Sequence, residues 1–150
     1  IWDAVDEVLI CGKGEMVKGL ANACYQHGIR KKNIHFELFD ELNDAIYPVE
    51  KEFSLIEDLD VEFTILGKNY STQFKTNKEK ILQQLLQQNF PVPYSCKAGI
   101  CGSCECKVVE GEVELLENEY LTEKEEEQGK ILACMSIAKS KKIKLNFDFS

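Results

Sequence analysis

The cysteines at positions 96, 101, 104 and 134 constrain this chain more than any other feature of it. Three of them fall in "SCKAGICGSCEC", Ser95 to Cys106, and Cys106 adds a fourth sulfur to the same short stretch. A fold that gathers so many thiols must pair them, bury them or give them something to bind. Seven cysteines cannot all pair internally. With no basic-then-apolar leader in the sequence, the reducing cytoplasm is the expected compartment, and there clustered thiols bind metal more often than they form disulfides.

The spacing decides which metal. C-x4-C-x2-C with a fourth cysteine thirty residues on is the plant-type iron-sulfur spacing. Two irons bridged by two sulfides need four thiolates, and a loop that wraps so compact a charged group must bring its backbone close. Gly99 and Gly102 permit that approach, while Ala98 and Ser103 add little bulk. Backbone N–H groups in such a loop can then point at the sulfurs and stabilise added negative charge. Zinc, as a structural staple, is the competing reading, but its structural sites favour paired C-x-x-C knuckles and this chain has one such pair, Cys101 and Cys104.

Around the cysteines the chain divides. Val5 to Ile10 reads as a buried strand, and a helical pattern through Met16, Val17, Leu20, Ala21 and Cys24 ends at Gly28. Asn33 to Phe39 reads as a second strand. Such a strand-helix-strand piece has too little area to cover both faces of a parallel sheet, so residues 1–40 are expected to be the tail of a larger α/β domain. Ile1 in place of methionine points the same way, to a C-terminal fragment of a longer polypeptide. Residues 41–58 lose periodicity and mix acids with Pro48 as a linker does. Residues 59–150 read as a second domain. In it are two strands around Gly67-Lys68-Asn69, a helix with Ile81, Leu82, Leu85 and Leu86 on one face, and a hairpin turning at Glu110-Gly111. A capping box follows at Thr122 to Glu125, then the strands "KILACMSI" and "KIKLNFDF".

Residues 59–150 resemble a plant-type 2Fe-2S ferredoxin domain of the β-grasp fold, an α+β architecture. "PVPYSCKAGICGSCECKVVEGEVE" is similar to that family's cluster loop, and "LTEKEEEQGKILACMSI" to the segment that delivers its last ligand. The resemblance implies that Cys96 and Cys101 hold the iron nearer the surface and that Cys104 and Cys134 hold the inner one. Cys106 matches no ligand position and is expected to be a packed spare thiol.

"ICGKGEM" and "HFELF" resemble the end of the NAD-binding domain of ferredoxin-NADP reductase-like flavoproteins, with Cys11, Gly12, Met16, Glu37 and Phe39 at the matching positions and Lys13 where that family has proline. The order of reductase tail, linker and ferredoxin is similar to reductase components of multicomponent oxygenases of the phenylacetyl-CoA epoxidase type. By that resemblance FAD and NAD(P)H belong to the full-length parent, and this chain should bind neither well. Its expected role is electron transfer through a 2Fe-2S cluster, from reduced flavin of its own reductase domains to an oxygenase-type acceptor protein.

Charge and hydropathy remove other classes. A net charge of −8 argues against nucleic acid or an anionic membrane as partner, and no stretch approaches the roughly 20 apolar residues of a membrane span. Nine glutamates against Lys124 between Glu110 and Glu127 read as a solvated face, with steering of a basic partner as the alternative. Cys24 is expected in the core, His27 at a helix end and His35 without a metal partner. Arg30, Lys31 and Lys32 are expected to complement the helix terminus.

Overall fold

The computed structural model describes residues 2–49 and 51–148. Ile1 and Ser150, the outer limits of the expected division, lie outside the described residues, as do Glu50 and Phe149.

Strands β1 (Val8–Gly12) and β2 (Ile34–Leu38) pair in parallel across helix α1 (Gly14–Gln26), the expected order with β1 starting at Val8 instead of Val5. Helix α1 buries Gly14, Val17, Ala21 and Cys24, which follow one another at helical steps of three and four. Met16 and Leu20, expected on that face, are exposed. Lys13 offers α1 no capping side chain. Asp40 takes that part from beyond β2, its carboxylate accepting the Gly14 N–H at 2.6 Å. Residues 40–49 and 51–56 carry no helix or strand, in keeping with their broken periodicity. Yet Leu42, Ala45, Ile46 and Tyr47 are buried, and all but Ala45 share a core with Val17, Ala21 and Ile34.

A second core lies under a five-stranded sheet. Strands β3 (Glu57–Ile65) and β4 (Lys68–Thr76) form a hairpin that turns at Leu66 and Gly67, both left-handed, and not at the expected Gly67-Lys68-Asn69. Asp148 holds this turn by accepting the N–H groups of Leu66 and Gly67 at 2.7 and 2.8 Å. The other strands are β5 (Glu105–Glu110), β7 (Lys130–Leu132) and β9 (Lys142–Asn146), and the sheet runs β4-β3-β9-β5-β7 with β3 and β9 parallel. Helix α2 (Ile81–Gln87) buries Ile81, Leu82 and Leu85 in this core, and stops short of Pro91, which could not continue it. A mixed sheet holding one main helix is the α+β, β-grasp arrangement.

The hairpin expected at Glu110-Gly111 does not form. Both edges of β5 are taken by β7 and β9, so β6 (Val113–Leu115) leaves the sheet and pairs with β8 (Ser136–Ala138). Gly111 allows the exit: its φ is +86°, and a Cβ there would lie 2.2 Å from the Lys142 carbonyl oxygen. "KILACMSI" is likewise not one strand, because a 3-10 turn at Ala133–Met135 separates β7 from β8. Helix α3 (Glu123–Glu127) starts at the expected capping box. Thr122 accepts the Glu125 N–H at 3.3 Å, and the Glu125 carboxylate accepts the Thr122 N–H at 2.9 Å.

Candidate metal centre

The loop from Cys96 to Cys104 contains no regular element, and three of its residues are left-handed: Lys97, Gly99 and Gly102 at φ +52°, +76° and +74°. Each reversal turns backbone N–H groups toward sulfur. The Ala98 N–H donates to Cys96 Sγ at 3.3 Å and the Ser103 N–H to Cys101 Sγ at 3.4 Å. The glycines also answer to crowding from outside. A Cβ on Gly99 would come within 2.9 Å of Met135 Cγ, and one on Gly102 within 2.3 Å of the Tyr120 ring.

Cys134 reaches the loop because the chain breaks between β7 and β8. The 3-10 turn places the Ala133 N–H on the Cys104 carbonyl at 3.1 Å and the Cys134 N–H on Cys104 Sγ at 3.4 Å. The thiols therefore come in two pairs, Cys96 with Cys101 and Cys104 with Cys134, each close enough to share a hydrogen bond. All seven cysteines are free thiols, and of the four in these pairs Cys101 alone is exposed.

The electrostatics follow the pairing. Burial pushes the Cys96 thiol up against the N–H groups of Ile100, Ala98 and Cys101. Burial also opposes ionisation of Cys101, but hydrogen bonds from Ser103 and Cys96 outweigh it and leave that thiol below its usual range. Cys104 is lowered first by its hydrogen bond with Cys134, which is itself driven far up by the same bond, by burial and by the charge of Cys104. Each pair thus holds one thiol poised to ionise and one that resists, and bringing all four to thiolates calls for positive charge between them. Among the described residues no three His, Cys, Asp or Glu side chains converge on a point that would hold one ion. Two neighbouring pairs, lined by N–H donors and glycine backbone, fit a two-iron, two-sulfide group and do not make the single tetrahedron that zinc needs.

Cys106 stands apart. It is 0% exposed, packs in the core under the sheet, and is pushed well up by burial and by the charges of Cys104 and Glu105. Met135 and Tyr120, which crowd Gly99 and Gly102 from outside the loop, carried no signal in the sequence.

The reductase-like residues also converge. Cys11 faces Glu37 across β1 and β2, with Sγ 3.8 Å from Oε2, and a Cβ on Gly12 would meet Met16 Cε at 2.2 Å. Phe39 follows β2 and is 69% exposed. A cleft of about 570 Å³ joins this corner to the cysteine loop, lined by Glu37, Phe39, Cys96, Ile100 and Cys101. Cys24 is in the core as expected. His27 stacks on Trp2 at 4.7 Å, and His35 lies 4.0 Å from Glu7. Lys31 caps the Tyr25 and Tyr47 rings at 5.0 and 4.4 Å.

Glu119 touches the loop from behind, its N–H donating to the Gly99 carbonyl at 3.0 Å. Burial, then the charge of Glu117, pushes its carboxyl up to about 7 against the opposing pull of Lys31. The folded chain therefore binds this proton more tightly than the unfolded chain, so the stabilisation is fully present below about pH 4.5 and lost as pH rises through about 7. Glu119→Gln should remove that slope, and urea melts at pH 5 and pH 8 should differ by up to about 3 kcal/mol more in the wild type than in the variant. Equal slopes would return Glu119 to the ordinary carboxylates.

Residues 63–139 match the family described as the 2Fe-2S iron-sulfur cluster binding domain. The oxidoreductase NdmD of Pseudomonas putida is 34% identical over 141 residues, which are 93% of this chain and 22% of that protein. One of the subunits of the 1,2-phenylacetyl-CoA epoxidase of Escherichia coli (strain K12) is 28% identical over 95% of this chain and 40% of its own length. The chain thus spans less than half of either relative. Among solved structures, phthalate dioxygenase reductase superposes with a TM-score of 0.51 at 23% identity, over 94% of this chain and 40% of that one, and shares the fold. The cysteine loop lies inside the matched span, together with α2, β5 and β7.

Proposed function

This chain belongs to the 2Fe-2S iron-sulfur cluster binding domain family, and from that premise we propose that it is a one-electron carrier, taking single electrons from the reduced flavin of an NAD(P)H-dependent reductase and handing them to an oxygenase-type acceptor protein. Cys96 and Cys101 hold one iron, and Cys104 and Cys134 the other. The observation that carries this reading is the arrangement of the thiols in two pairs from a loop and a distant 3-10 turn.

The cluster supplies the one-electron chemistry. The chain's own residues supply the rest. N–H donors from Ala98 and Ser103 to sulfur stabilise negative charge on the ligands, and burial of Cys96, Cys104 and Cys134 keeps water from all but the Cys101 side. The cleft between Phe39 and Cys101 supports a donor at the reductase-like corner, because it puts that corner and the metal loop on one cavity. The relatives' names, an oxidoreductase and part of an epoxidase, support an acceptor of the oxygenase class. FAD and NAD(P)H belong on this reading to the reductase partner domains. Among the described residues no helix is long and apolar enough to cross a membrane. Seven free thiols fit the reducing cytoplasm.

The test is chemical and spectroscopic. Purified protein is expected to carry about two irons and two acid-labile sulfides per chain. Reduction by dithionite should yield a rhombic electron paramagnetic resonance signal of one spin at low temperature. Colourless protein containing zinc, or iron-replete protein without that signal, would sink the reading.

A further inference from the structure

The corner formed by Cys96 and Lys97 is held from outside the loop. Lys97 is left-handed, a conformation that a residue with a Cβ adopts under constraint. Three contacts provide the constraint. The Leu42 N–H donates to the Cys96 carbonyl at 3.0 Å, the Glu41 carboxylate pairs with Lys97 Nζ at 3.1 Å, and that ammonium lies 4.6 Å from the centre of the Tyr94 ring. The result of the turn is that the next N–H, that of Ala98, points back at Cys96 Sγ.

The segment that makes these contacts is itself anchored. Leu42 is 6% exposed and packs so closely on the start of α1 that a Cβ on Gly14 would come within 3.0 Å of it. Farther along, the Asn22 side chain donates to the Ile46 carbonyl at 2.7 Å and Lys18 pairs with Asp44. Cys96 and Ala98 are buried in the core that contains Leu42, Ile46 and Tyr47, not in the core under the sheet. A stretch that reads as a linker is thus a strap from α1 to a ligand of the metal loop.

We infer that Glu41 and Leu42 are positioning residues for Cys96, holding the left-handed turn at Lys97 that aims the Ala98 N–H at the Cys96 sulfur. The inference rests on Cys96 being an iron ligand, and goes beyond that reading by making the grip on this ligand depend on residues more than fifty positions away. Its functional meaning is that strain arriving through α1 is passed to the iron held by Cys96.

Iron release from the loaded full chain to an excess of chelator tests this, alongside the melting of the metal-free protein. Glu41→Gln with Leu42→Ala is expected to release iron roughly fivefold faster or more, and Glu41→Gln alone to shift release in the same direction by less. Asp44→Asn, which weakens one anchor of the same segment on α1 without touching the loop, is expected to accelerate release by less than Glu41→Gln alone. In a Lys97→Gly background, where the left-handed turn needs no support, Leu42→Ala should add no further acceleration. Release within twofold of wild type in the Glu41→Gln/Leu42→Ala protein overturns the inference. So does equal acceleration by Asp44→Asn, or a full Leu42→Ala effect in the Lys97→Gly background. Wild-type protein that holds no iron at all instead refutes the ligand reading, and is seen before any variant is compared.

Discussion

Cys134→Ser is expected to strip most of the iron and acid-labile sulfide from the protein, whereas Cys106→Ser keeps both at the wild-type level. Cys134 is the one candidate ligand outside the loop, delivered by the 3-10 turn whose N–H groups fasten onto Cys104. A serine oxygen there is a hard donor in place of a soft thiolate, a poor match for iron held by sulfur. Cys106 lies two residues past Cys104 but faces the apolar core. Its replacement sets a hydroxyl among hydrocarbon and should cost about 1–3 kcal/mol of fold stability without touching the metal. Cys134 is buried in the same core, so its replacement carries a similar cost, and the two variants should separate on iron content, one losing it and the other keeping it. Metal and sulfide analysis beside denaturant melts of the metal-free proteins measures both axes. Equal iron loss in the two would undo the assignment.

Gly111→Ala is expected to destabilise the chain by about 3 kcal/mol, the sum of a left-handed non-glycine residue and a steric overlap that no side chain can relieve. The obstructing atom is the Lys142 carbonyl oxygen, part of the backbone of β9's first residue, 2.2 Å from where the new Cβ would stand. Gly129→Ala is the matched control. Its φ of +87° is nearly the same, but the nearest atom to its Cβ is 3.4 Å away, so only the conformational cost of about 1 kcal/mol should appear. Urea melts of both variants decide the matter, and similar losses would show that the close passage of β9 is softer than its geometry states.

That Cys96, Cys101, Cys104 and Cys134 would come together was legible in their spacing, and the structure gathers them in two pairs. The capping box at Thr122 and the burial of Ile81, Leu82 and Leu85 were legible for a similar reason, since each is decided within one or two turns of chain. The β5-β6 hairpin misled because Glu110-Gly111 signals a turn without saying which strand edge is free. That is settled by β9, which arrives more than thirty residues later. Met16 and Leu20 continue an apolar stripe wider than the face α1 buries. The strap at Leu42 to Tyr47 has no sequence signature, because a segment without helix or strand buries its side chains by following the contour of its neighbours and so carries no period.

The two hydrophobic cores have one more consequence. Cys96 belongs to the core of α1, β1 and β2, while Cys104 and Cys134 belong to the core under the sheet. On the proposed ligand set, the bound cluster is a rivet through both, joining by metal-sulfur bonds what the polypeptide joins by an irregular strap. The loaded protein should then melt in a single step, because neither half can unfold without tearing a ligand from the other. Loss of metal would turn one cooperative unit into two neighbours that can come apart in sequence.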